Sequence, residues 1–170
     1  MWNQLRDVLC VGATVLITSS AVFAAEQEDQ QALLKFLPSA KVTLLQGLQA
    51  SAALGQPISA KFEVDEGKFQ LSVYTDKAGA FSEVVVDHTT GKVAKAEAIT
   101  EGEDLAAAKS QAAAMARAKS TLAAAVAKAE HELAGYRAIG VTPAVQQAHA
   151  VAVVALLKGT QFKSVTESLE

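Results

Sequence analysis

Two short stretches of strict alternation, only two residues apart, constrain this chain more than anything else in it. Ile58, Ala60, Phe62 and Val64 are the apolar positions of Ile58–Asp65, and Phe69, Leu71 and Val73 are those of Lys68–Thr75. A period of two puts each apolar set on one face of a half-buried strand. Between them Glu66-Gly67 makes a tight hairpin loop, with the glycine supplying a positive φ. A second loop, Asp76–Gly79, leads into Phe81–Asp87 with its Val84-Val85-Val86 run, and Thr89-Thr90-Gly91 turns the chain into Lys92–Ile99. The expected product is an antiparallel meander of three or four strands.

Ahead of the meander the period is helical. Leu44, Leu45, Leu48, Ala52 and Leu54 follow Thr43, which is placed to act as N-cap, and Gly55 with Pro57 stops the helix. After the meander, Glu101–Leu133 is alanine-rich, charged and free of proline, a composition that favours helix throughout, with Ser120-Thr121 as the point for a kink. Leu105, Met115, Leu122, Val126 and Leu133 do not sustain a heptad, so the stretch reads as core-facing helix rather than coiled coil. Strand patterns then return in Tyr136–Thr142, which Pro143 interrupts, in His149–Leu157, and in Phe162–Leu169 after a Gly159-Thr160 turn.

The second half therefore repeats the first in outline. Lys41-Val42-Thr43-Leu44 matches Lys119-Ser120-Thr121-Leu122, a helix follows each, Gly55 and Gly135 end those helices, and Gly79 and Gly159 precede the third strands. The fold class expected is α+β, with two tandem repeats, each a helix packed on a three- to four-stranded antiparallel meander, cystatin-like in outline. The divisions are a lead segment over 25–40, a first repeat over 41–100, a connecting helix over 101–118 and a second repeat over 119–170.

Residues 1–24 carry a different signal. Arg6 precedes the apolar run Val8–Ile17, which is too short to span a bilayer, and Val22-Phe23-Ala24 presents small-to-medium side chains for cleavage after Ala24. The expectation is a secretory signal peptide and a periplasmic or secreted protein with no stable membrane insertion after cleavage. Cys10 lies inside the apolar run, where it cannot serve as a lipidation site. Cleavage would remove both the sole Cys and the sole Trp, leaving about 145 residues, enough to bury a core without disulfides. Fifteen Lys and Arg stand interspersed with 18 Asp and Glu, so no basic stripe points to nucleic acid and no polybasic patch to anionic lipid.

The segment Val84-Val85-Val86-Asp87-His88-Thr89-Thr90-Gly91-Lys92-Val93 resembles the end of a PepSY domain, a Val-x-Val-Asp-x-x-Thr-Gly-x-Val-type hairpin. Val84, Val86, Asp87, Thr90, Gly91 and Val93 fall on that pattern. In the second copy Val165-Thr166-Glu167 stops before any Thr-Gly turn, so that copy is degenerate. PepSY domains resemble the propeptide segments of secreted metallopeptidases. The resemblance implies an exported, non-enzymatic module that inhibits or regulates a secreted or envelope peptidase, or binds another envelope protein.

The residues themselves offer little chemistry. Asp87-His88 is the most tempting carboxylate–imidazole pair, but neighbouring strand residues point to opposite faces. A turn-setting role for Asp87, accepting backbone N–H groups within Thr89-Thr90-Gly91, is expected instead, with His88 a solvated neighbour. His131 and His149 read as surface residues. No Gly-x-Ser-x-Gly, His-Glu-x-x-His, Cys-x-x-Cys or phosphate-cradling loop occurs, and no catalytic, cofactor or metal residue is assigned. Asp76, Gly79, Asp87, His88, Thr90 and Gly91 are the candidate partner-contact or turn residues, together with the strand edges. The alternative is a periplasmic small-ligand-binding or sensory module, using a pocket lined by Leu48, Phe62, Phe69, Leu71 and Val84.

Overall fold

The computed structural model describes residues 30–65 and 67–170. The expected signal peptide with its Ala24 cleavage point, the first residues of the lead segment and Glu66 of the first hairpin lie outside the described residues. Seven strands form one antiparallel sheet: β1 (Gln56–Asp65), β2 (Lys68–Lys77), β3 (Ala80–Val86), β4 (Val93–Ala98), β5 (Arg137–Gln146), β6 (His149–Lys158) and β7 (Gln161–Ser168). Their order across the sheet is β4-β3-β2-β1-β5-β6-β7. Both meanders thus run outward from a central β1–β5 seam. The α+β class holds, and the strands of both halves form a single large sheet with helices flanking it.

Among the described residues the lead segment is helical over 30–39, and after it three helices pack on the sheet: α1 (Leu44–Ser51), α2 (Gly102–Met115) and α3 (Leu122–Glu132). Thr43 caps α1 as expected: its Oγ1 accepts from the Gln46 amide at 3.2 Å, while Gln46 Oε1 accepts from the Thr43 amide at 2.7 Å, a reciprocal capping box. Thr121 caps α3 through its side chain alone, Oγ1 accepting from the Ala124 amide at 3.1 Å. Helix α1 is shorter than its leucine spacing implies. Ser51 is buried at its last position, donating to the Gly47 and Leu48 carbonyls, and Leu54 lies beyond the helix, 40 % exposed.

Leu44 and Leu48 of α1, with Leu122 and Val126 of α3, cover one sheet face made of Leu71, Val73, Val84, Val86, Val141 and Val154, all buried. Helix α2 lies on the opposite face. Its Gln111 Oε1 accepts from Ser59 at 2.8 Å and its Asp104 Oδ1 accepts from Tyr74 at 2.7 Å, and Ser59 and Tyr74 alternate with the core residues Ala60 and Val73. The helical stretch over 101–133 is two helices on different faces, and the break between Met115 and Leu122 spans the Ser120-Thr121 point where a kink is expected. Between them the chain rounds the end of the sheet, with Arg117 Nη1 donating to Ala148 O at 3.4 Å.

Pro143 does not interrupt its strand; β5 runs through it to Gln146. Gln147 and Ala148 both adopt positive φ, and this two-residue turn closes on the Gln146–His149 pair. The alternation of hydrogen-bonded pairs then turns the position of the missing Pro143 N–H away from β6 and toward β1. On that side the ladder has already ended, since β1 and β5 pair only at Ala60–Val141 and Lys61–Gly140. The proline costs no ladder bond.

Gly47 sits where a Cβ would overlap the Leu71 side chain, which is fully buried beneath α1. Leu71→Ala is expected to destabilise the protein by about 2–5 kcal/mol in chemical denaturation. Gly47→Ala is expected to be destabilising in the wild type. In the Leu71→Ala background it should instead recover about 1 kcal/mol, because helix propensity then acts without the overlap.

Candidate functional site

Two turns hold the residues singled out in the sequence, and they lie at opposite ends of β3. Asp76 and Gly79 belong to the β2–β3 turn, where Asp76 Oδ1 accepts from the Gly79 amide at 2.7 Å and Ala78 and Gly79 both take positive φ. Asp87, His88, Thr90 and Gly91 belong to the β3–β4 turn. Seven strand residues separate the two, roughly 20 Å, so the six side chains do not converge on one site.

In the β3–β4 turn Asp87 does what its position implies. Its Oδ1 accepts from the amides of Thr90 at 2.6 Å and Thr89 at 2.9 Å, while its own amide donates to Lys92 O and its carbonyl accepts from Gly91. The bonds to Thr90, then that to Thr89, hold the Asp87 carboxyl below the ordinary carboxylate range. Gly91 has φ 74°, and a Cβ there would also stand 3.2 Å from Val42 Cγ1. That approach is explained by the turn's second role: the His88 carbonyl accepts from the amides of both Lys41 and Val42, fastening the segment that enters α1.

His88 is not the solvated neighbour expected. Its ring is half-buried and tilted on Phe69 at 4.8 Å between centroids, at the end of a row in which Phe69 also stacks with Phe62 at 5.8 Å and Phe36 at 6.1 Å. Among the described residues the His88 ring nitrogen Nδ1 meets Thr89 Oγ1 at 3.4 Å. His131 is exposed on α3. His149 is exposed too, but it is paired with Glu170 at 2.8 Å, which with the Ala150 amide keeps the Glu170 carboxyl low. Among the described residues no group of three or more His, Cys, Asp and Glu side chains is placed to hold a metal ion, and no helix is long and apolar enough to cross a membrane.

The pocket expected between helix and sheet is filled by its own lining. Leu48, Phe62, Leu71 and Val84 are each less than 5 % exposed, and Phe69 is half-buried against the rings of Phe36 and Phe62. A different groove, of about 210 Å³, opens between the end of α1 and the start of α3, lined by Leu48, Ala52, Pro57, Met115 and Leu122 among others.

Three polar features had no sequence signal because their partners are remote. Glu167, only 3 % exposed, is paired with Lys128 at 2.6 Å, an interaction that raises the lysine pKa. Tyr74 donates to Asp104, and burial followed by that carboxylate pushes its phenol well above the usual range, so it is a donor and not a phenolate. Arg137 lies over the Phe62 ring at 5.1 Å and donates from Nη1 to Leu37 O at 3.4 Å and from Nη2 to Val42 O at 2.7 Å, tying the lead segment and the entry to α1 to β5, and burial pulls its pKa down. Two separate bonds, Ser59 to Gln111 and Tyr74 to Asp104, cross the space under α2. Their chemistry is spent on docking the helix.

Because its pKa is lowered on folding, Asp87 contributes stability that is complete above the ordinary carboxylate value and is lost as pH falls through the lowered one. Asp87→Ala should lower the melting temperature at neutral pH. The difference from wild type should shrink through that acid window in melts recorded as a function of pH.

The chain matches no family model, no curated protein and no solved structure.

Proposed function

We propose that the protein is an exported, non-enzymatic module that binds an extended segment of another protein along the outer edge of β7. We further read it as two tandem PepSY-like copies, residues 41–100 and 119–170, joined by the connecting helix of 101–118. The observation that carries the binding reading is the outer edge of β7, which pairs with no other strand among the described residues.

Several paired details support the two copies. A threonine caps the helix of each half. The register of the first strand shifts between Pro57 and Ser59 in one half and between Ala138 and Gly140 in the other. The His88 carbonyl accepts from the amides of Lys41 and Val42, and the Leu169 carbonyl accepts likewise from Lys119 and Ser120. In this scheme β5, β6 and β7 correspond to β1, β2 and β3. Beyond β3 lies β4, whereas beyond β7 no strand follows among the described residues.

The β6–β7 turn closes on the Lys158–Gln161 pair, so alternation turns the amides of Phe162, Ser164, Thr166 and Ser168 outward. Such a row is a template for β-augmentation, with β4 on β3 as an intramolecular example of the product. A secreted or envelope peptidase, or another envelope protein, is the partner class that the PepSY resemblance supplies. The second reading, a small-ligand or sensory module, is favoured by the apolar groove between α1 and α3.

A photo-cross-linking amino acid at Ser164 should capture a secreted or envelope protein. Thr166→Pro, which removes an outward amide from an edge strand, should abolish capture while leaving the circular dichroism spectrum unchanged. Capture that is unaffected by Thr166→Pro, or equal capture from a control position on the solvent side of α2, would sink the edge-binding reading.

A further inference from the structure

At the other end of the sheet, β4 is exposed at all six of its positions and, among the described residues, pairs only with β3. Its sequence, Val93-Ala94-Lys95-Ala96-Glu97-Ala98, reads the same in charge terms when turned about Ala96, with sign reversed: a cation one residue before, an anion one residue after. We propose that β4 pairs antiparallel with β4 of a second copy of this chain about a two-fold axis at Ala96, setting Lys95 of each chain opposite Glu97 of the other.

The backbone permits this register and excludes its neighbours. The Ile99 amide donates inward to Phe81 O at 2.9 Å, so alternation turns Glu97 and Lys95 toward β3 and leaves the N–H and C=O of Ala96 and Ala98 facing out. A two-fold at Ala96 makes Ala96 opposite Ala96 a hydrogen-bonded pair. The two Lys95–Glu97 pairs then fall at the flanking non-hydrogen-bonded positions, where side chains approach most closely. Sliding by two residues in either direction places Lys95 opposite Lys95 or Glu97 opposite Glu97, and like charges directly opposite are destabilising. Sliding by one sets outward groups against inward ones. A charged edge ordinarily discourages pairing; here the charges discourage all registers but one.

A second observation points the same way. Within the chain Glu97 stands directly opposite Glu83 on β3, a carboxylate beside a carboxylate. Lys95 relieves this along the strand, its Nζ 2.7 Å from Glu97, with both side chains more than half exposed. A second chain places a further cation on the outer side of Glu97. On the other face of β4 the small side chains of Ala96 and Ala98 leave room for the approach. A symmetric contact of this kind is self-closing, so it yields a dimer and not a filament, and it leaves both β7 edges free. The inference goes beyond the binding reading and does not rest on it.

The test is sedimentation equilibrium of the purified protein from micromolar to millimolar concentration, because a contact of one short strand lies below the usual size of a tight interface. The wild type should dimerise reversibly. Lys95→Glu and Glu97→Lys should each weaken dimerisation by at least roughly tenfold, since each turns two attractive pairs into repulsive ones. Mixing those two variants should restore association as a heterodimer, and the double exchange Lys95→Glu with Glu97→Lys should dimerise as the wild type does. Ala96→Pro, which removes the outward amide at the axis, should leave a folded monomer. A wild type monomeric throughout, a dimer indifferent to these changes, or variants that gain nothing on mixing would each overturn the proposal.

Discussion

Everything in this molecule depends on a seam two residue pairs long. Ala60–Val141 and Lys61–Gly140 are the only register pairs joining the β1–β4 meander to the β5–β7 meander. So short a ladder holds two sheets as one only if both faces are clamped. On one face α1 and α3 supply Leu44, Leu48, Leu122 and Val126 over the buried Ala60 and Val141. On the other, α2 crosses the joint with its polar side chains bonded to β1 and β2. Hydrophobic burial is non-directional and holds the first face; hydrogen bonds to Ser59 and Tyr74 fix the angle of the helix on the second.

The two faces explain the composition of the helices. α1 and α3 need leucine and valine stripes because they cover a deep apolar face. α2 lies over a polar one, so its buried residues are Ala108, Ala114 and Met115, and small side chains let it approach closely. Glu103 and Asp104 in its first turn suit the helix dipole, and Asp104 is also the acceptor for Tyr74.

What could be read from the sequence was local. Thr43 and Thr121 announce their helices because a cap and its amide are three residues apart, and the Asp87 turn is legible because its bonds reach only Thr89 and Thr90. The alternation of β1 and β2 reports a real buried face. What could not be read was remote: the switch of α2 to the other face leaves no periodic mark in an alanine-rich stretch. Pro143 looked like a strand breaker because its harmlessness depends on where β1 stops pairing. His88 looked solvated because Phe69, its contact, lies nearly twenty positions earlier. The site residues Asp76, Gly79, Asp87, Thr90 and Gly91 were legible as turn formers. That they occupy opposite ends of β3 follows from strand length and could be counted only once β3 was delimited.

The seam also sets a schedule for folding. Ala60 and Val141 are roughly eighty positions apart, so the first meander can close its hairpins long before β5 exists to meet β1. In that interval the inner edge of β1 is bare, with apolar residues on one side and unpaired backbone along its length, the kind of surface that recruits strangers. Lys61 stands on this edge, exposed and paired with Glu63 at 2.6 Å. It places a charge on a boundary that in the finished protein is the middle of the sheet.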